Sequence, residues 1–225
     1  MKPTTSRRAL QPKSRSARRP PPDPALPGAR RLTAADLPVG TVALARALIG
    51  ALLVRHRDGV LLAGRIVETE AYLHTDPASH TFRGLTPRNR VMFGPPFHAY
   101  VYFIYGANWC LNVTSERDGI GSAVLVRACE PVAGLDVMRA LRGRPALKDS
   151  ELARGPGNLC RAFAIGPDFN GSDLLGGDRL WLAAGGAPVE VGVSPRIGIT
   201  KAVAEPMRFY ARGSASVSGR RALSP

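Results

Sequence analysis

Two carboxylates separated by one residue, Glu68 and Glu70, stand in the run Val67-Glu68-Thr69-Glu70-Ala71-Tyr72. On an extended backbone Ile66, Glu68, Glu70 and Tyr72 share one face. Such a pair marks a solvated strand edge, an arginine partner, or a cleft in which one carboxylate deprotonates water. Periodicity does not choose between Glu68 and Glu70. A second set of candidates is aromatic: Tyr100 and Tyr102 point one way, and Tyr105 points the other beside Gly106-Ala107-Asn108. Strand aromatics are ordinarily core or cross-strand partners. In a basic protein, however, an aromatic at a hairpin tip can wedge base pairs apart, and phenol rings further along can stack on an extruded base. Arg127, inside an apolar run, requires a partner for its guanidinium. Asn112, between Leu111 and Val113, requires hydrogen bonds or a ligand to read. Residues 86–90 place Arg88, Asn89 and Arg90 in a turn-like stretch.

The elements that must position these groups can be read in outline. Val42, Leu44, Ala45, Leu48, Ile49 and Leu52 recur at helical spacing. Thr33 caps a shorter helical start that Pro38 interrupts. After Asp58-Gly59, residues 60–62 and 65–72 read as extended. Residues 100–105 and 109–114 form a hairpin, and residues 122–129 a buried strand. Helices are expected at 135–141 and 150–164, the second broken by Gly155-Pro156-Gly157, with strands near 180–182, 196–199 and 208–211. Hairpins with few helices between them predict an α+β fold, a single domain with a largely antiparallel sheet.

Charge points to a polyanionic partner. The 225 residues carry 31 Lys and Arg against 17 Asp and Glu, a net +14. Nine of the basic residues and one acid precede Leu32, so the remainder is still +6. Residues 1–30, rich in Pro, Arg and Ser, are expected to form a disordered basic tail, residues 31–219 the domain, and residues 220–225 a short second tail. Binding to a duplex nucleic acid, as one such polyanion, should therefore weaken steeply with salt. Deleting residues 1–30 should flatten that slope without ending activity. Titrations of both forms at several salt concentrations check this; identical slopes would show that the tail touches no phosphates. No apolar run approaches a membrane span and no secretory signal is evident, so a cytoplasmic location is expected, associated with the nucleoid in a bacterium. Cys110, Cys129 and Cys160 are an odd, widely spaced set with apolar neighbours, which predicts buried free thiols. The four histidines show no ligand spacing, so neither a metal nor another cofactor is expected.

Together the segments resemble the alkyladenine (3-methyladenine) DNA glycosylase family of base-excision repair. The resemblance spans residues 48–218. It rests on RIVETEAY (65–72), His80 before TPRNR (86–90), YVYFIYG (100–106), CLNVTS (110–115), LVRACEP (125–131), GPGNLC (155–160), RIGI (196–199) and RFYARG (208–213), in family order. It implies a partly barrel-like sheet with a protruding hairpin. It also implies a monofunctional enzyme that flips alkylated or deaminated purines out of double-stranded DNA and hydrolyses the N-glycosidic bond. The resemblance selects Glu70 as general base. It places Tyr72 on one face of the flipped base, and His80, with His74 as the nearby alternative, and Tyr102 on the other. Asn112 lies at the pocket floor, Tyr105 fills the gap in the duplex, and Arg127 with the Ile197 carbonyl holds the water. The only lysines outside the tail, Lys148 and Lys201, lie in no motif attributed to Schiff-base chemistry, so strand cleavage is not expected. A monomer is expected. A non-catalytic damage-binding protein would keep the tyrosines but need no base, and a generic nucleic-acid module would leave Glu70 and Arg127 unexplained.

Overall fold

Asp58 and Gly59 both adopt positive φ (49° and 79°), the two-residue turn whose twist matches a hairpin. They join β1 (Leu52–Arg57) to β2 (Val60–Tyr72), in register from Arg57 opposite Val60 to Leu52 opposite Arg65. The computed structural model describes Leu26 and residues 29–104, 106–186 and 188–219. Tyr105, residues 220–225 and nearly all of the expected tail therefore lie outside the described residues. Leu26 packs with Leu52, Val54 and Trp181.

β2 is the spine of an eight-stranded, antiparallel, curled sheet. Along one edge it pairs with β5 (Ala123–Ala133). Along the other it pairs first with β1 and then, at Glu68–Glu70, with β8 (Arg208–Ala211). β3 (Ala99–Ile104) and β4 (Asn108–Thr114) form the hairpin that extends the sheet beyond β5. β6 (Leu180–Ala183) borders β1, and β7 (Val191–Ser194) borders β8. Three irregularities interrupt β2 and β5: one at the strand end steps over Val132 between Ala63 and Gly64, and two lie side by side at the glutamates. There the pairing steps over Val67 on β2, so that Glu68 meets Ala128, and then over Arg127 on β5, so that Thr69 meets Val126. Each step adds one residue to one strand, and the two cancel. Such bulges re-aim side chains next to a site.

Three helices cover the sheet: α1 (Thr41–Ala47), α2 (Leu135–Arg142) and α3 (Pro156–Ala162). Leu44, Leu53, Leu62, Ile66, Val124, Val126, Leu159 and Phe163 meet in one core with almost no exposure, each contributing about 1.5–3 kcal/mol by leaving water. Cys110, Cys129 and Cys160 are buried free thiols, as their apolar neighbours suggested.

The sequence pattern and the structure differ at three elements. The periodic run at 42–52 ends as a helix at Ala47, because Gly50 turns at φ +91° and Leu52 pairs in β1. Gly155-Pro156-Gly157 does not break a helix but starts one, with Pro156 in the first turn, where its missing N–H costs nothing. The strand expected at 196–199 is instead a loop, and the strand is β7 just before it. Pro195 has no N–H to continue the ladder.

Candidate active site

Glu68 and Glu70 project from the middle of the sheet, and both are fully buried. A solvated edge is therefore ruled out, and arginine partners are found. Glu68 Oε1 accepts from Arg127 Nε at 3.0 Å and from Arg208 Nε at 2.7 Å, and its Oε2 accepts the Ser218 N–H at 2.7 Å. Burial alone would push the Glu68 pKa up; Arg127 and then Arg208 outweigh it and leave it below the usual carboxylate value. Glu70 differs in company. Its Oε2 accepts from Arg127 Nη1 at 3.1 Å and from the Tyr72 hydroxyl at 2.8 Å, and its Oε1 accepts the Ile197 N–H at 2.7 Å. Arg127 ties the two carboxylates together, donates to the Ile197 carbonyl at 3.3 Å and reaches Ser218 Oγ at 3.2 Å. Glu68 is thus committed to the interior, whereas Glu70 is held by groups that border open space.

That space is a cavity of about 310 Å³ lined by Tyr72, His80, Tyr102, Asn112, Arg127 and Ile197 among others. Of the residues to which the family resemblance gave a role, the structure gathers all at this cavity except Glu70, which lies directly behind Tyr72, Arg127 and Ile197, and Tyr105, which is outside the described residues; Glu68, Arg88, Asn89 and Arg90 do not line it. His80, not His74, lines the cavity: its Nδ1 meets the Tyr100 hydroxyl at 3.0 Å, and its ring lies edge-on to Tyr102 with centroids 4.5 Å apart. The backbone N–H of His74 instead donates to Ser122 Oγ at 2.9 Å. Desolvation, then the charge of Arg88, lowers the His80 pKa and so favours the neutral imidazole. Burial raises the pKa of the Tyr72 and Tyr102 hydroxyls and pushes Tyr100 up to about 12, so all three remain neutral donors. Asn112 Nδ2 donates to the Tyr100 carbonyl at 3.1 Å, which fixes the amide.

α3 closes the cavity from the side. Gly157 packs so tightly on Asn108, at the turn end of the hairpin, that a Cβ there would lie 2.8 Å from the amide. The hairpin is braced on both flanks, by Arg88 Nη2 on the Phe103 carbonyl (3.1 Å) and Arg161 Nη2 on the Ala107 carbonyl (3.2 Å). Phe103 is exposed and its ring meets Trp109 with centroids 4.8 Å apart.

Four residues around the site escaped the sequence reading: Arg208, Ser218, Arg196 and Asp76. Arg208 carries the signal that singled out Arg127, a cation inside an otherwise apolar strand. Ser218 gives its backbone N–H to Glu68 and its hydroxyl oxygen to Arg127, and a lone serine in a serine-rich stretch leaves no such signal. Among the described residues no group of three His, Cys, Asp or Glu side chains is placed to hold a metal ion, and no helix is long and apolar enough to cross a membrane.

The site is thus an aromatic-walled cavity with a buried carboxylate–arginine pair at its wall, set in a curled antiparallel sheet. The model of one family, Methylpurine-DNA glycosylase (MPG), matches residues 36–215. A protein of Mesorhizobium japonicum is 53% identical over 189 residues, covering 84% of this chain and 90% of its own. One of Methanoculleus marisnigri is 52% identical over 185 residues, covering 80% and 94%. Both carry the name "Putative 3-methyladenine DNA glycosylase". The chain belongs to the methylpurine-DNA glycosylase family, and with it to the DNA glycosylases, hydrolases of N-glycosyl bonds.

Proposed function

We propose that this protein excises damaged purines by flipping them into the cavity and hydrolysing the N-glycosidic bond with a water activated by Glu70. The observation that carries the reading is the placement of Glu70 behind the cavity wall, bonded to Tyr72, Arg127 and Ile197, three residues that line it. The cavity has the size of a small-molecule site and aromatic walls suited to a purine. Tyr72 stacks on one face of the base, and His80 and Tyr102 cover the other. Asn112, held by the Tyr100 carbonyl, meets the base edge and rejects the exocyclic amine of a normal guanine. Glu70, Arg127 Nη1 and the Ile197 carbonyl orient the water.

In the reaction the water oxygen attacks C1′ while the C1′–N bond breaks and its electron pair leaves with the base. The water's proton passes to Glu70. The glycosyl carbon gains positive character on the way, and a nearby carboxylate stabilises it. A base that is already cationic departs neutral; a neutral one takes up a proton. The product is an abasic site. Residues 31–219 make up this glycosylase domain, acting as a monomer on double-stranded DNA. A non-catalytic damage binder needs the aromatic walls but not the buried carboxylate beside them. Release of free base from a methylated duplex tests the proposal: an intact duplex after prolonged incubation with excess protein would overturn it.

Tyr105, which lies between β3 and β4 in the sequence, is proposed to fill the gap left in the duplex. Tyr105→Ala should impair flipping of ethenoadenine in a paired duplex more than in a loosened mismatch, because the lost stacking is worth a few kcal/mol. The fluorescence of the lesion reports this, with Tyr105→Phe as the ring-retaining control. Equal flipping by the alanine variant would return Tyr105 to a packing role.

A further inference from the structure

The face of Tyr72 turned away from the cavity is covered by a cation. The Arg196 guanidinium lies 4.6 Å from the Tyr72 ring centroid. Its side chain has no exposure and does not line the cavity, whereas Tyr72 does. One edge of the guanidinium is held: Nη1 donates to the Ala71 carbonyl at 2.9 Å and to Asp76. The other edge is not, since Nε and Nη2 are buried with no hydrogen-bond partner among the described residues. Buried donors left unmet cost stability, so leucine or methionine would serve better if the position only packed against the ring.

A cation on one face of an aromatic ring drains the negative potential that would attract a second cation to the other. The buried ion pairs of the site supply no net negative charge to offset it. The buried carboxylates Glu68, Glu70 and Asp76 are matched by Arg127, Arg196 and Arg208. We infer that Arg196, acting through Tyr72, is a specificity-determining residue that biases the cavity toward neutral damaged purines over cationic alkylated ones. The inference rests on the proposed stacking of the base on Tyr72. At a stacking separation of ~3.5 Å the base lies about 8 Å from the guanidinium. A bare unit charge there disfavours a cation about 30-fold at an effective dielectric near 20. The Asp76 partner cancels part of this, which leaves about three- to tenfold.

Arg196 also precedes Ile197, whose N–H holds Glu70, so an anchoring role has to be separated from an electrostatic one. Single-turnover excision of 7-methylguanine, which is cationic, and of hypoxanthine, which is neutral, from the same duplex separates them. Asp76→Asn keeps the oxygen that accepts the Ala78 N–H (2.8 Å) but bares the arginine charge. It should lower the cationic-to-neutral rate ratio about three- to tenfold. The double variant Arg196→Gln, Asp76→Asn removes both charges and should raise the ratio by a similar factor, while Arg196→Lys, which keeps the charge, should leave it at the wild-type value. Rates for both lesions that fall in parallel, or ratios that move the opposite way, would make Arg196 an anchor only and overturn the inference. Tyr72→Leu is the companion variant. If it slows both lesions while the charge variants leave the ratio unmoved, the electrostatic inference alone fails; if it slows neither, the stacking itself is wrong.

Discussion

Glu70→Gln should lower single-turnover base release by about 10²–10⁴-fold, the range lost with a positioned general base, while the affinity for a lesion-bearing duplex stays near wild type. The amide is isosteric: its oxygen, in the place of Oε1, still accepts the Ile197 N–H (2.7 Å), and its NH2, in the place of Oε2, can donate to the Tyr72 hydroxyl oxygen (2.8 Å). The aromatic walls therefore keep their places, and only the ability to take a proton from water is lost. Facing Arg127, the amide forfeits a charged partner, but that guanidinium retains Glu68 at 3.0 Å. Excision and binding measured on the same preparation decide the matter. Release within a few-fold of wild type would move the catalytic role away from Glu70.

The second large effect falls on stability. Glu68→Ala leaves the Arg127 and Arg208 guanidiniums without the carboxylate that both approach within 3.0 Å, at a position with no exposure. Breaking a buried pair by removing one partner costs about 3–5 kcal/mol, a large share of a domain's stability. Denaturant unfolding should show the loss, and Glu68→Gln, which keeps an acceptor but not the charge, should fall between. The same network carries a pH dependence. Because the arginines hold the folded Glu68 below its ordinary pKa, its contribution is complete above the unfolded value and is lost as pH falls through the folded one. The acid limb of the wild-type stability curve should therefore be steeper than that of Glu68→Gln. Superimposable limbs, or Glu68→Ala as stable as wild type, would show that the network stabilises little.

Local chemistry accounts for what the sequence made legible. The Asp58-Gly59 turn, the hairpin about Gly106-Ala107-Asn108 and the apolar run of β5 are each specified by a few adjacent residues, and all three are found where their patterns put them. The choice between Glu68 and Glu70 is different in kind. A period of two puts both on one face, and only β8, more than 130 residues on, brings the Arg208 that claims Glu68. Asp76 and Arg196 likewise meet across 120 residues of chain. The family motifs located the cavity residues, but as strings they did not distinguish a carboxylate that works at a cavity wall from one that holds the wall up. β7 was missed because residues 191–194, Val-Gly-Val-Ser, offer little burial pattern of their own. They become a strand by pairing with β8.

The two cancelling irregularities at Val67 and Arg127 bear on how such a chain can vary in length. On both sides of them β2 and β5 keep the same pairing, Ile66 with Cys129 and Glu70 with Leu125, so the extra residue on one strand is balanced by one on the other. A single-residue deletion in either strand alone would slip every pair beyond it and turn an alternate set of side chains toward the core. Around the glutamates, insertions and deletions in this pair of strands can therefore be accepted only as matched events; the unmatched step over Val132 falls at the strand end, where only the Ala63–Ala133 pair lies beyond it. The loop from residue 143 to 148, by contrast, joins α2 to the turn before α3 without entering the sheet and is free to lengthen. Among natural variants, length changes should accumulate in that loop and stay out of β2 and β5.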